Sequence, residues 1–372
     1  MGTITIHEKK RRRYRCKVCK QTCSEWRGTM FEGRRKPIEL IIIVVTLLAS
    51  ECPVQAVVHA FKLDERTVAD WRDRAGQHCQ QIHEALVEQG QLDLMHVQAD
   101  EIRVKGRRMV AWMGRAMMVS TRLGLAGAVS LSRDKKLADA LLQQVRRTAK
   151  HLHPLLVLTD SWAAYPDSIC RAFREKVKTT PGPGRACLQV WKDLHIGTVI
   201  KRTEKKRVVE ITRTMAHGLL ERAEQLLVCS RGGEVLKTAF IERLNGTFRE
   251  RLASLTRKSR HAASRVQALR TGMDLLGCMY NFCLVHHELS KTTHWGKACT
   301  PAMASGLTDH AWTFGELLCY KVAPTPWVQP KRRGPRPKQA AQHTGSGKQP
   351  RQSSQVRPVL RLRKGVLCPI YS

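Results

Sequence analysis

Leu155-Leu156-Val157-Leu158-Thr159-Asp160 decides the fold: five apolar or β-branched residues run without polar interruption into an acid. Such a run is too short for a core helix and reads as a strand buried on both faces, as inside a parallel sheet. Working outward, Leu94-Met95-His96-Val97-Gln98-Ala99-Asp100 is a second strand that also ends in an acid. Arg108 to Thr121 reads as a strand after a turn at Gly106, and Leu125 to Leu131 as another. Lys136 to His151 is an amphipathic helix, with Leu137, Leu141, Leu142 and Val145 at helical spacing. The order β-β-β-α-β predicts an α/β domain: a mixed sheet flanked by helices.

Downstream, Thr238-Ala239-Phe240-Ile241-Glu242-Arg243-Leu244-Asn245-Gly246-Thr247-Phe248-Arg249 reads as a helix. Glu242, Asn245 and Arg249 are spaced i, i+3, i+7 and share one face. Ile241, Leu244, Phe248 and Leu252 form a neighbouring packing stripe. Helix is expected to continue to His287, with Gly246, Gly272 and Gly277 as weak points.

Upstream of the strands, residues 36–75 have a helix-turn-helix rhythm. Pro37 and Pro53 can each open a helix, and Lys62-Leu63-Asp64 makes a tight turn into Arg66-Thr67-Val68-Ala69-Asp70-Trp71-Arg72. Val68 and Trp71 would face the core. Arg66, Thr67 and Arg72 would be presented as a recognition helix presents its first residues to a DNA groove. The plainer reading is a helical hairpin with a solvated basic face. Gln77 to Gln89 reads as a linking helix ending at Gly90. Cys16 and Cys19 have the spacing of a zinc knuckle. A closed zinc site needs two more ligands, for which His7 and Cys23 are the nearby candidates, and the alternative is a short hairpin with two thiols.

The net charge of +34 over 372 residues implies a polyanionic partner. Nucleic acid is the first candidate. A membrane surface is the second, but no basic amphipathic anchor helix is evident. The apolar run from Ile38 to Ala49 is too short to span a bilayer and suits a core helix. Thirteen cysteines, mostly single and in apolar runs, read as reduced and buried in a cytosolic protein rather than as a disulfide framework. The basic run Lys201-Arg202-Thr203-Glu204-Lys205-Lys206-Arg207 is either a solvated loop or a phosphate-contact surface. No Asp or Glu follows Glu316, and the Gln/Ser/Gly-rich tail is expected to be disordered.

Asp100, Asp160 and Glu242 each have an ordinary reading as turn, cap or surface acid. Together, two strand-end carboxylates and one from a packed helix make an oxygen donor set for Mg²⁺ or Mn²⁺, the set that two-metal phosphoryl transfer requires. Glu101 competes with Asp100 for the first position, but on a continuing strand its side chain points to the opposite sheet face.

The stretches Val97 to Glu101, Leu158 to Tyr165 and Phe240 to Asn245, with Lys201 to Val209, Tyr280-Asn281-Phe282-Cys283, His286-His287 and Thr300 to Ala304, resemble insertion-sequence DDE transposases over about residues 14–335. That resemblance implies an RNase H-like catalytic core behind a zinc-ribbon-like segment and a helix-turn-helix. It matches Asp100, Asp160 and Glu242 to the metal-binding triad and Asn245 to its accompanying polar residue. Zinc ribbons of this family have two Cys pairs, and the chain is expected to begin near the second.

The implied organisation is a basic arm and partial ribbon (1–35), helix-turn-helix (36–90), DDE domain (91–290), helical extension (291–330) and basic tail (331–372). The expected activity is metal-dependent cleavage of double-stranded DNA at element ends and strand transfer into target DNA. The expected protein is a homodimer or higher oligomer in the synaptic complex, cytoplasmic and nucleoid-associated, with Zn²⁺ as a second cofactor if the ribbon closes. DNA contacts are assigned to Arg66, Thr67, Arg72, Lys201, Arg202, Lys205, Lys206 and Arg249. Two other readings stand beside it: a catalytically inactive DNA-binding protein derived from a transposase, and an RNase H-like nuclease acting on RNA or structured DNA. The helix-turn-helix argues against the nuclease, because major-groove readout suits duplex DNA.

Overall fold

The computed structural model describes residues 4–9, 12–18, 20–50, 52–106, 109–178, 186–205, 207–252, 255, 265–292 and 297–323. The chain divides into two compact units, Met1–Arg27 with Ala323–Ser372, and Gly28–Val322. In the first, strands β1 (Ile4–Glu8), β2 (Arg13–Cys16) and β3 (Thr22–Ser24) form an antiparallel meander. Cys16 is buried at the end of β2. Cys19 lies outside the described residues, as does the tail from residue 324.

The second unit opens with α1 (Ile38–Ala49), α2 (Val54–Phe61) and α3 (Glu65–His83). Pro37 and Pro53 stand at the N-caps of α1 and α2, and Asp64 caps α3 by accepting from the amides of Arg66 and Thr67. Val68 and Trp71 are buried as the spacing predicts. The two helices expected around residue 75 are instead one, because Gly76 does not break it. A Cβ at Gly76 would come within 2.4 Å of the Thr271 carbonyl oxygen, so this glycine serves close helix packing. Its partner is α8 (Val266–Cys278), and the segments on either side of residue 90 therefore share one compact unit.

A six-stranded sheet forms the centre of that unit. Its strands are β4 (Met95–Lys105), β5 (Val110–Met118), β6 (Gly124–Ser130), β7 (Leu155–Thr159), β10 (Leu194–Glu204) and β11 (Arg207–His217), in the order β11-β10-β7-β4-β5-β6. Strands β4, β7 and β10 run parallel, and the other pairings are antiparallel. All five residues of β7 are buried, as its unbroken apolar run requires. The helices α4 (Lys135–Thr148) and α5 (Ala164–Ala172) cover one face. On the other face lie α6 (Leu220–Cys229), α7 (Ala239–Arg251) and α8. A small hairpin, β8 (Arg174–Val177) with β9 (Cys187–Val190), sits between α5 and β10. Short helices α9 (His287–Thr292), α10 (Pro301–Ala304) and α11 (Phe314–Cys319) complete the unit. No helix among the described residues is long and apolar enough to cross a membrane.

Candidate functional site

Parallel register brings the first two acids together. Ala99 of β4 is paired with Thr159 of β7, so the next residues, Asp100 and Asp160, stand side by side where β7 ends. Neighbouring strands lie about 4.8 Å apart. Carboxylate oxygens of Asp100, Glu101 and Asp160 all come within 4.8 Å of one another, the one such group of three or more metal-capable side chains among the described residues.

The two adjoining acids of β4 point to opposite faces, as strand alternation dictates. Asp100 reaches the α7 face, where Asn245 Nδ2 donates to its Oδ2 at 2.9 Å. Its other oxygen accepts from the Glu101 amide at 2.8 Å. Burial raises the Asp100 pKa, and repulsion from Asp160 and Glu242 adds to this against those two hydrogen bonds. Glu101 reaches the α4–α5 face, with its side chain 2% exposed. One oxygen accepts from the Tyr165 hydroxyl at 2.9 Å and the other pairs with Arg133. Burial and then the Asp160 charge push Glu101 up to about 7, against the Tyr165 bond and Arg133. Arg133 also reaches Asp160 Oδ2 at 3.3 Å.

Helix α7 is docked by a residue that the sequence reading passed over. Gln98, two positions before Asp100 on the same face of β4, accepts from the amides of Phe240 and Ile241 at 3.1 and 3.0 Å. Its Nε2 donates to the Lys237 carbonyl at 2.7 Å. Gln98 thus does the work of an N-cap for α7, whose own N-cap residue, Thr238, makes no such bond. The available signal was an amide two positions before Asp100, on the same face of a strand whose first half is largely buried. Farther along α7, the Arg115 guanidinium lies over the Phe248 ring, 3.4 Å from its centroid.

Glu242 and Asn245 lie on α7 as expected, but they behave differently. Asn245 is buried against Asp100, and its Oδ1 has no hydrogen-bond partner. The Glu242 carboxylate is 46% exposed and stays outside the cluster. It pairs with Lys201 of β10 and accepts from the Thr238 hydroxyl at 2.7 Å. Its charge is still felt at Asp100.

Strands β10 and β11 form the basic hairpin. Strand β10 pairs with β7 only from Leu194 to Thr198, and the two strands continue beyond as an exposed ribbon to Glu204 and Arg207. Lys201 and Arg202 are therefore on a strand of this ribbon rather than in a loop, Lys205 is in its turn, and Lys206 lies outside the described residues. Arg202 pairs with Glu204 at 2.9 Å and lies 3.8 Å from Glu210. Arg66 and Arg249 are exposed, Thr67 is half-buried, and Arg72 pairs with Asp73 at 3.1 Å.

The donor chemistry fits a hard divalent cation. The clustered acids offer oxygens alone, and the buried, unpartnered Asn245 Oδ1 adds another beside Asp100. Arg133 and Lys201 supply positive charge to carboxylates that would otherwise repel one another. No protein-family model matches the chain, and no curated protein matches it.

Proposed function

We propose that the chain is a DDE-type DNA transposase that cuts DNA at element ends and joins the freed 3′ ends to target DNA. The observation that carries this reading is the juxtaposition of Asp100 and Asp160 where β7 ends beside β4, with α7 laying Asn245 onto Asp100. Strand β4 does not end at Asp100 as its sequence suggested but continues to Lys105, because β5 still pairs with it. The order of β4, β5, β6, α4 and β7, with β10 parallel beyond, supports an RNase H-like core. The turn between α2 and α3 supports a helix-turn-helix that presents Arg66, Thr67 and Arg72 to DNA.

Asp100 and Asp160 would hold Mg²⁺ or Mn²⁺, with Glu242 as the third acid once it leaves Lys201. Bound ions of this kind supply Lewis-acid activation of water or a 3′-hydroxyl and stabilise the leaving oxygen. The chain's own part is positioning: Gln98 sets α7, Asn245 orients Asp100, and the β10–β11 ribbon offers Lys201, Arg202 and Lys205 to phosphates. A duplex-DNA partner, self-association to bring two ends together and a place at the nucleoid follow from the same reading. Zn²⁺ belongs to it only if Cys16 and Cys19 are joined by two further ligands.

The test is incubation of the protein with its own flanking DNA in Mg²⁺, followed at nucleotide resolution. The expected result is nicking at fixed ends and joining of 3′-hydroxyl ends to plasmid, both lost in Asp100→Asn. Salt-sensitive DNA binding with no cleavage in Mg²⁺ or Mn²⁺ supports the inactive DNA-binding reading instead, which the Lys201–Glu242 pair favours.

A further inference from the structure

Four acids approach the site, and their partners divide them. Both Glu101 oxygens are engaged, one by Tyr165 and one by Arg133. Arg133 is the only cation hydrogen-bonded to two clustered acids among the described residues. Its guanidinium carbon lies 4.7 Å from the centroid of one Trp162 ring and 5.2 Å from that of a Trp112 ring, so aromatic faces as well as charge hold it. The approach to Glu101 is the closer, and that to Asp160 is 3.3 Å. Asp160 Oδ1 meanwhile accepts from the Trp162 amide at 3.0 Å. Asp160 therefore has one oxygen committed to the backbone and one shared with Arg133.

Resting on the metal-site reading above, we propose that Glu101 is not a metal ligand but a positioning residue that draws Arg133 away from Asp160. A half-buried guanidinium seeks a carboxylate, and two are within reach. With the Glu101 carboxylate in place, Arg133 is held against Trp112 and Trp162 and makes only its long approach to Asp160. Without the Glu101 carboxylate, as in Glu101→Gln, Arg133 turns fully onto Asp160, competes with a divalent cation for the same oxygen and adds repulsion toward it. The assignment explains why two adjoining acids of one strand both stand beside one site: Asp100 faces the cation and Glu101 faces the competing arginine.

The consequence is a suppressor relationship. Binding of Mn²⁺ to the full-length protein, followed by the loss of free-ion electron paramagnetic resonance signal, is expected to weaken about tenfold in Glu101→Gln. The double variant Glu101→Gln/Arg133→Gln is expected to return to within about threefold of wild type. Arg133→Gln alone binds as tightly as wild type or tighter, a readout that stands even if Glu101→Gln does not fold; circular dichroism of each variant checks folding. A double variant as weak as Glu101→Gln makes Glu101 a ligand and overturns the proposal. Unchanged affinity in Glu101→Gln, or weakened affinity in Arg133→Gln, overturns it too. A wild-type chain that binds no Mn²⁺ while Asp100→Asn behaves identically overturns the metal-site reading itself and this proposal with it.

Discussion

The two faces of β4 treat adjoining acids in opposite ways. On the α4–α5 face, Glu101 is sealed against Tyr165 and Arg133, and Arg133 lies in turn against Trp112 and Trp162. On the α7 face, Asp100 and Glu242 have polar partners, and Glu242 is nearly half exposed. The difference teaches that carboxylates gathered in one place need not share a job. The sealed face suits holding a side chain in a fixed position, whereas the open face leaves Glu242 accessible to solvent.

The comparison is broken most directly at Asp100. Asp100→Asn or Asp160→Asn removes a charged oxygen donor, worth several kcal/mol in such sites, and strand cleavage is expected to fall about 10³-fold in single-turnover assays. Glu242→Gln should follow the same direction; full activity in Mg²⁺ would show that Glu242 has no part. Next is Gln98→Leu, which strips the α7 amides of their acceptor. We expect a loss of about 1–3 kcal/mol in urea unfolding, together with slower cleavage as Asn245 loses its place. Tyr165→Phe probes the sealed face: it removes one donor from buried Glu101 and should cost about 1–2 kcal/mol in the same unfolding assay. Unchanged stability would mean that the face is wetter than its burial suggests.

On the open face, replacing both Lys201 and Arg202 by Ala should reduce the salt dependence of duplex binding by a log–log slope of about 0.9 for each phosphate no longer neutralised. Arg202 pairs with Glu204 and Lys201 with Glu242, so each side chain exchanges a carboxylate for a phosphate when DNA binds. The last prediction is a pH dependence. Burial raises Asp274 of α8 to about 7, with Arg115 and Arg270 opposing. The folded protein then keeps a proton that the unfolded chain releases near pH 4. Stability contributed by this group is therefore present at low pH and lost as pH rises from about 4 to 7. The buried His78 and His96, held at about 4 and 3 by desolvation, work in the opposite direction, so the share of Asp274 is read as a difference: the melting temperature of Asp274→Asn should gain on that of wild type as pH rises across that range.

Much of the central fold was legible because β7 and α4 carry strong, unmixed patterns. An apolar run ending in an acid can be little other than a buried strand, and Leu137, Leu141, Leu142 and Val145 fit one helix face. Residues 77–89 were less legible: glycine reads as a breaker, and only the approach of Thr271 gives Gly76 its reason. The basic run at 201–207 read as a loop or phosphate surface, since alternation is weak where both strand faces meet solvent. The two edges of the sheet were not legible. At β6, Asn281 and Gln144 pair through their amides with the backbone of Gly124 and Gly127, at 2.8 to 3.1 Å, and so stand in for an absent strand. Strand β11 has an exposed ribbon instead.

Sequence pattern alone was enough for the types of the central strands and helices, the alternation that sends Asp100 and Glu101 to opposite faces, and the packing stripe of α7. Those are local properties, set by period and burial within a few residues. The tertiary structure decided the rest: the β4–β7 register that joins Asp100 to Asp160, the Gln98 bonds that dock α7, and the division of labour in which Arg133 holds Glu101 and Lys201 holds Glu242. Each depends on partners tens to more than a hundred residues apart, and no local pattern encodes which distant donor a carboxylate will meet.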